Sequence, residues 1–223
     1  MANANGNPLL TAIAAAALAG AAFYAVNAAY DWSDERIAAN ERARVVARLN
    51  SVLEPGLRDR DLTTTLLAVM DAELLGTDGA INVFVLTDRG APMATVFATV
   101  APHGYNAEIG LLIAISPAGT VTGVRALRHR ETKGLGDAID VAHSDWILQF
   151  DGKALMATPP ELWAIAQDEG EFDAISGATV TSRAVVGAVK NTLLYFEQHR
   201  DELYAQAAEA VAAAETEIGR AHV

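Results

Sequence analysis

The hydrophobic pattern changes character three times along the chain. Residues Met1 to Tyr30 contain no charged side chain, and Pro8 to Tyr30 is long enough to cross a bilayer, which takes ~20 helical residues. Leu9, Leu10, Ile13, Leu18, Phe23 and Val26 supply most of its apolarity, and Tyr24, Tyr30 and Trp32 stand where an aromatic belt is expected. No Lys or Arg precedes the apolar run, so it reads as an uncleaved anchor rather than a signal peptide. From Ser33 to Glu54 the period becomes helical. Ile37, Val45, Leu49 and Val52 share one broad face, and Pro55-Gly56 ends the element. Residues 33–73 are therefore expected to form a helical connecting region, although Leu62 to Leu75 is ambiguous in period.

After Ile81 the punctuation is that of strands. Ile81–Leu86, Met93–Val100, Glu108–Ile115 and Thr120–Leu127 are short runs rich in Val, Ile and Thr. Turn residues part them at Asp88-Arg89-Gly90, at Pro102 to Asn106 and at Ser116 to Gly119, which predicts an antiparallel meander. Asp145–Phe150 is expected to be a short helix and Leu162–Ala166 a further strand. Arg183–Phe196 is read as a helix with Val185, Val186, Val189, Leu193 and Leu194 on its core face. A second helix is expected over Asp201 to Glu217. The fold class is thus α+β: a transmembrane helix over residues 1–32, the connector, and one mixed domain with an antiparallel sheet over residues 74–223.

Composition narrows the chemistry. The chain has 223 residues and a formal net charge of −12, with no basic cluster of the kind that nucleic acid requires. It has no cysteine, which excludes disulfides, thiolate nucleophiles and cysteine-ligated iron–sulfur clusters. Electrons, if this chain moves them, need an organic carrier. His103, His129 and His143 have no metal-ligand spacing. A Ser176, His129 and Asp137 hydrolase lacks the nucleophile elbow. No residue is assigned a catalytic or metal-binding role.

Two strings carry specific chemistry. Asp173-Ala-Ile-Ser-Gly-Ala-Thr179 is a small-residue loop that feeds a helix N-terminus, where backbone N–H groups and hydroxyls favour an anion; an ordinary helix cap accounts equally for the spacing. His129-Arg-Glu-Thr-Lys-Gly-Leu-Gly136 leaves the last predicted strand. Together, and in this order, the strings resemble the two hallmarks of the FMN-binding domain family over about Leu74 to Phe196. Within it, the chain is similar to the G subunits of Rnf electron-transport complexes. The C subunits of sodium-pumping NADH:quinone reductases are the alternative, and a non-redox periplasmic scaffold is the remaining reading.

The resemblance implies covalent FMN, joined by its phosphate to the hydroxyl of Thr179 by a separate FAD:protein FMN transferase. It implies that Ser176, Gly177, Ala178 and Thr181 surround the phosphate, and that Glu131, Thr132, Gly134 and Leu135 serve the flavin ring. Partners would be the other subunits of the membrane complex and, through the anchor, membrane lipid. The amino terminus would be cytoplasmic, with the domain on the periplasmic side of the inner membrane. Thr132, Gly134 and Leu135 offer a hydroxyl, a close backbone approach and an apolar cover. Glu131 can orient its loop by accepting N–H groups. Arg183, Thr181 and Ser182 are either phosphate contacts or plain first-turn residues, and Tyr105 and Trp146 either flavin walls or core. Lys133 departs from the family pattern, which has proline there.

Overall fold

The computed structural model describes residues 45–221, apart from Asp59 and Asp61. The expected membrane span and the first part of the connector lie outside those residues. Among the described residues, no helix is long and apolar enough to cross a membrane. The chain divides into two compact units, Met1–Arg48 and Leu49–Val223, and the architecture that follows is that of the second.

Its centre is a five-stranded antiparallel meander in the order β1-β2-β3-β4-β5. The strands are β1 Thr63–Asp71, β2 Thr77–Asp88, β3 Ala91–Ala101, β4 Ile109–Ile115 and β5 Val121–Arg128. The β2–β3 hairpin turns through Arg89 and Gly90, both at positive φ (51° and 83°), the left-handed geometry that suits the twist of two antiparallel strands. The four predicted strands are therefore present, some with longer bounds. Part of the helical reading of 33–73 is corrected: residues 45–52 are helical (α1) and Pro55–Arg58 forms one turn (α2), but Thr63–Asp71 is strand β1. Its alternation is hidden because Leu66 and Met70, on the less covered face, are exposed by 57% and 72%, whereas Thr65 and Val69 point inward.

Every residue of β4 is buried, because both faces of the central strands are covered. On one face Ile109, Leu111, Ile113 and Ile115 join Val83, Val85 and Phe97 against Val185, Val189, Leu193 and Phe196. On the other, Leu49, Val52 and Leu53 cover Leu86, Ala94, Val96, Leu112 and Ala114. Gly123 admits this second layer, since a Cβ there would stand 2.5 Å from the Val52 carbonyl oxygen. Burial of each large apolar side chain contributes ~1.5–3 kcal/mol relative to exposure.

The one-turn helix α3, Ala72–Leu75, is capped by Asp71, whose side chain accepts the Leu74 N–H at 2.8 Å, and ends at left-handed Gly76. The helix after the motif, α4, is a single element from Thr179 to Ala221, not two helices. Glu197-Gln198-His199-Arg200 contains no breaker, so the period continues through it.

Between β5 and α4 the chain forms turns. Asp145–Phe150 is a 3-10 helix started by Ser144, whose hydroxyl accepts the Trp146 N–H at 3.1 Å. Leu162–Ala166 is not a strand. The 3-10 turns Pro160–Leu162 and Ala166–Asp168 bracket it, and Ile165 makes only an isolated bridge to Phe172. Pro159-Pro160 fixes φ and removes ladder donors at its start, and the buried Trp163 indole donates to the Thr158 carbonyl at 2.8 Å instead.

Candidate functional site

The first turn of α4 is built from small and hydroxylated residues, and the sequence dictates which of them remain free. Ala178 precedes the helix and accepts the Ser182 N–H at 3.0 Å, so it occupies the N-cap position with no side-chain oxygen to cap anything. The Ser182 hydroxyl is buried. It accepts the Ile175 N–H at 2.9 Å and donates to the Ala178 carbonyl at 3.0 Å, which closes the loop 175–182 on itself. Gly177, at φ 76°, supplies the reversal, and a Cβ there would approach Leu135 Cδ2 to 3.1 Å.

Thr181 is also buried, and its hydroxyl donates to Glu131 Oε2 at 2.5 Å. These two residues are 50 positions apart in sequence and come one from each motif. Glu131 is 6% exposed, and its other oxygen accepts the Asn106 N–H at 3.3 Å. The Asn106 amide in turn donates to the Arg130 carbonyl at 2.9 Å and to the Thr132 hydroxyl at 3.4 Å. Gly136 lies against this clasp: a Cβ would meet Glu131 Cβ and Oε2 at 2.9 Å each and Thr181 Oγ1 at 3.1 Å. The loop itself is a turn in which Leu135 N–H and Asp137 N–H donate to the Thr132 carbonyl, at 3.1 and 3.2 Å. Asp137 Oδ1 accepts the Gly134 N–H at 2.8 Å.

Between the two motif loops lies a cleft of about 300 Å³, lined by Glu131, Thr132, Leu135, Gly136, Gly177, Ala178 and Thr181, with Tyr105 at its side. That volume is at the low end of the ~300–1,000 Å³ usual for ligand sites. Tyr105 is 67% and Leu135 44% exposed. A larger hollow of about 490 Å³ flanks the other side of the same helical turn, at Val180, Arg183, Ala184 and Gly187. It includes no residue of the 129–136 loop, so only the smaller cleft joins both motifs.

The expected site residues are thus distributed as follows. Glu131, Thr132, Leu135, Gly177, Ala178 and Thr181 line the cleft, whereas Ser176, Thr179 and Gly134 do not. Thr179 is half-buried on the first turn beside Ala178, Ser176 is exposed, and among the described residues neither hydroxyl has a hydrogen-bond partner. Gly134 is exposed at φ 76°, with open space where a Cβ would stand. Glu131 and Thr181 spend their polar atoms on one another, so they brace the site.

Arg183 is turned to Asp168, meeting both carboxylate oxygens at 2.5 and 2.7 Å. That pairing holds the Asp168 carboxyl below its usual range. His129 Nδ1 accepts the Glu131 N–H at 3.3 Å, an ordinary structural role. Trp146 does not wall the cleft. Its indole donates to the Asp173 carbonyl at 2.8 Å while Gln149 Oε1 accepts the Asp173 N–H at 2.8 Å, so both hold the start of the loop that precedes α4. Asn106 and Gly136 were not singled out from sequence; a turn asparagine and a glycine that touches a side chain 50 positions from its partner leave no periodic signal.

The donor set fits an FMN. A helix start without a side-chain cap presents first-turn N–H groups to a phosphate. Beside it stands an unengaged threonine hydroxyl, and next to that a cleft with an exposed leucine and tyrosine can cover an aromatic ring.

Comparison with known proteins agrees. The FMN-binding domain family matches residues 104–194, a span that holds both motifs. The G subunit of an ion-translocating oxidoreductase complex from Shewanella loihica is 40% identical over 169 residues, 76% of this chain and 80% of the relative. The corresponding protein of Vibrio cholerae is 40% identical over 177 residues, 79% and 84% of the two chains. That of Shewanella oneidensis is 37% identical over 172 residues, 77% and 81%. The chain belongs to the family of ion-translocating oxidoreductase complex G subunits and carries an FMN-binding domain.

Proposed function

We propose that this chain is the flavin-bearing electron-transfer subunit of an ion-translocating oxidoreductase complex, with FMN esterified through its phosphate to Thr179. The observation that carries the assignment is the hydroxyl inventory of the attachment loop. Thr181 and Ser182 are buried and engaged with protein partners. Ser176 and Thr179 are unengaged, and of these two Thr179, the residue that the motif designates, is the one within the helix start, where negative charge is stabilised by ~0.3–1 kcal/mol or more.

In this reading Thr179 supplies the oxygen of the ester. A separate FAD:protein FMN transferase would supply the FMN phosphoryl group to this hydroxyl, with the proton lost and AMP as the leaving group. The first-turn N–H groups hold the remaining phosphate charge. Gly177 and Ala178 leave room for it, and Thr132, Leu135 and Tyr105 orient and cover the ring. Glu131 holds the two loops at a fixed spacing through Thr181 and Asn106. When bound, FMN supplies a carrier that exchanges electrons singly or in pairs; the protein's part is to fix its position and limit water. Substrate oxidation belongs to other subunits, and the relatives cited are named G subunits, which favours that complex over the sodium-pumping quinone reductase.

Residues 1–32 are proposed as a single-pass anchor in the inner membrane, with residues 74–223 as the periplasmic domain and 33–73 as the connector between them. Carbonate-resistant membrane association, together with cleavage of the domain by protease added to spheroplasts, is the expected result. A soluble chain that begins near Ala28 contradicts the anchor. For the cofactor, protein made with the transferase should be yellow, with fluorescence that stays with the denatured chain and is absent from Thr179→Ala but present in Ser176→Ala. Retention of flavin by Thr179→Ala overturns the assignment.

A further inference from the structure

We propose that Asp137 is the positioning residue of the cleft: its carboxylate fixes the turn that carries Leu135, and so decides where the apolar cover of the flavin stands. The inference rests on reading the cleft as the flavin site, and adds to it the residue that sets one of its walls.

Leu135 is the point where the two motif loops approach each other. It lines the cleft, is 44% exposed, and its Cδ2 lies 3.1 Å from the place a Cβ on Gly177 would occupy. A side chain so exposed is not locked by packing, so its place depends on the backbone beneath it. That backbone is a tight turn in which the Leu135 and Asp137 N–H groups share the Thr132 carbonyl. Gly134, the residue before Leu135, is exposed at φ 76° with open space where a Cβ would stand, so no contact there steadies it. Its N–H is held by Asp137 Oδ1 at 2.8 Å. Among the described residues this is the only side-chain bond to the backbone of residues 133–136.

The carboxylate is itself fixed. Asp137 is 8% exposed, and a buried carboxylate needs a partner for each oxygen. One oxygen takes the Gly134 N–H, and the other lies 3.5 Å from His143 Nδ1, which is also 3.2 Å from the Asp137 carbonyl oxygen. His143 is set in turn by its own N–H, which donates to the Asp140 carbonyl at 2.9 Å, while the Asp140 N–H donates to the Asp137 carbonyl at 3.0 Å. Glu131 ties the same loop to Thr181 and Asn106, but it makes no bond to Gly134 or Leu135. The two acids therefore divide the work: Glu131 sets the spacing of the loops, and Asp137 sets the position of the cover. Moving the cover changes the polarity and water access around a ring in the cleft, and leaves the bond at Thr179 untouched.

The test compares the full chain with its Asp137→Ala and Asp137→Asn variants, each made with and without an FAD:protein FMN transferase. Asparagine keeps a carbonyl oxygen for the Gly134 N–H, and alanine does not. Without the transferase, amide hydrogen exchange over residues 133–136 should be about tenfold faster in Asp137→Ala, the scale of one lost hydrogen bond, and near wild type in Asp137→Asn. With the transferase, covalent flavin content should be the same in all three. Asp137→Ala should shift the flavin absorbance and let iodide quench its fluorescence more strongly, and Asp137→Asn should restore both. Where Asp137→Ala does not fold, Asp137→Glu replaces it: the added methylene displaces the acceptor while the charge stays, and the same shift is expected. Wild-type exchange and wild-type absorbance in Asp137→Ala overturn the proposal. So does faster exchange with an unchanged flavin spectrum, which would make Asp137 a closure of the turn and nothing more. So does an Asp137→Asn spectrum as altered as that of Asp137→Ala, which would assign the effect to lost charge. A wild-type chain that takes up no flavin overturns the flavin reading alone. The exchange rates then decide: faster in Asp137→Ala and restored in Asp137→Asn supports Asp137 as the residue that places Leu135, and equal rates contradict it.

Discussion

Glu131 is the residue on which the two motifs meet. Glu131→Ala removes the acceptor of the buried Thr181 hydroxyl, and that orphaned group costs ~1–3 kcal/mol, whereas the N–H of the exposed Asn106 can turn to water. We expect urea denaturation to show a loss of that order. In a double-mutant cycle with Thr181→Val, a large part of it should be shared, because both substitutions remove one bond; additive losses would mean that the clasp is not formed. At the ring end, Leu135→Ala should leave covalent flavin content normal while it shifts the flavin absorbance, whereas an unchanged spectrum would place the ring elsewhere. Gly134 is a poorer probe, since any Cβ there is strained at φ 76° even though space is open. The motif residues were legible in sequence as strings. Their roles were legible in part: Glu131 reads as a residue that orients its loop by accepting N–H groups, and it does accept the Asn106 N–H, but a string carries no information about a partner 50 residues away, so the Glu131–Thr181 bond was hidden.

The elements were legible where one physical signal dominates. β4 reads as a strand because a buried central strand is a continuous apolar run bounded by turn residues. β1 was hidden because its outward Leu66 and Met70 are apolar, and Leu162–Ala166, apolar enough to resemble a strand, lies between two 3-10 turns, the first opened by Pro159-Pro160. Two expected outcomes belong at this level. Gly123→Val would press a side chain onto the Val52 backbone, so it should detach residues 49–53 from the sheet and raise hydrogen exchange on β4 and β5, while flavin attachment at the opposite face persists. The loop 158–171 should loosen in acid. The Glu171 carboxyl is held below its ordinary range first by Lys153, then by the Thr158 hydroxyl. A depressed carboxyl contributes its stabilisation in full above the unfolded value, ~4.3, and loses it as pH falls through the lower folded value. Trp163, buried beside this loop, should report the change by fluorescence below about pH 4, and an emission constant through that range would contradict it.

At the scale of the unit Leu49–Val223, the fold sets the cleft between the two motif loops against the first turn of α4. α4 begins at the Asp173–Thr179 loop and packs across the sheet, so Thr179 is anchored by the core residues Val185, Val189, Leu193 and Phe196 and not by a loop alone. Phe97→Ala, which removes a ring packed edge-on against Tyr195 and Phe196, should cost ~3–5 kcal/mol and, where the protein still folds, broaden the flavin signal by loosening that anchor. All of this serves one claim, that Thr179 is the point of attachment. The direct measurement is peptide mass mapping of the chain co-produced with an FAD:protein FMN transferase. The peptide that holds Asp173 to Arg183 should be heavier by one FMN less one water, with fragmentation placing the added mass on Thr179. A yellow protein whose Thr179 is unmodified, or whose adduct maps to Ser176, would contradict the account.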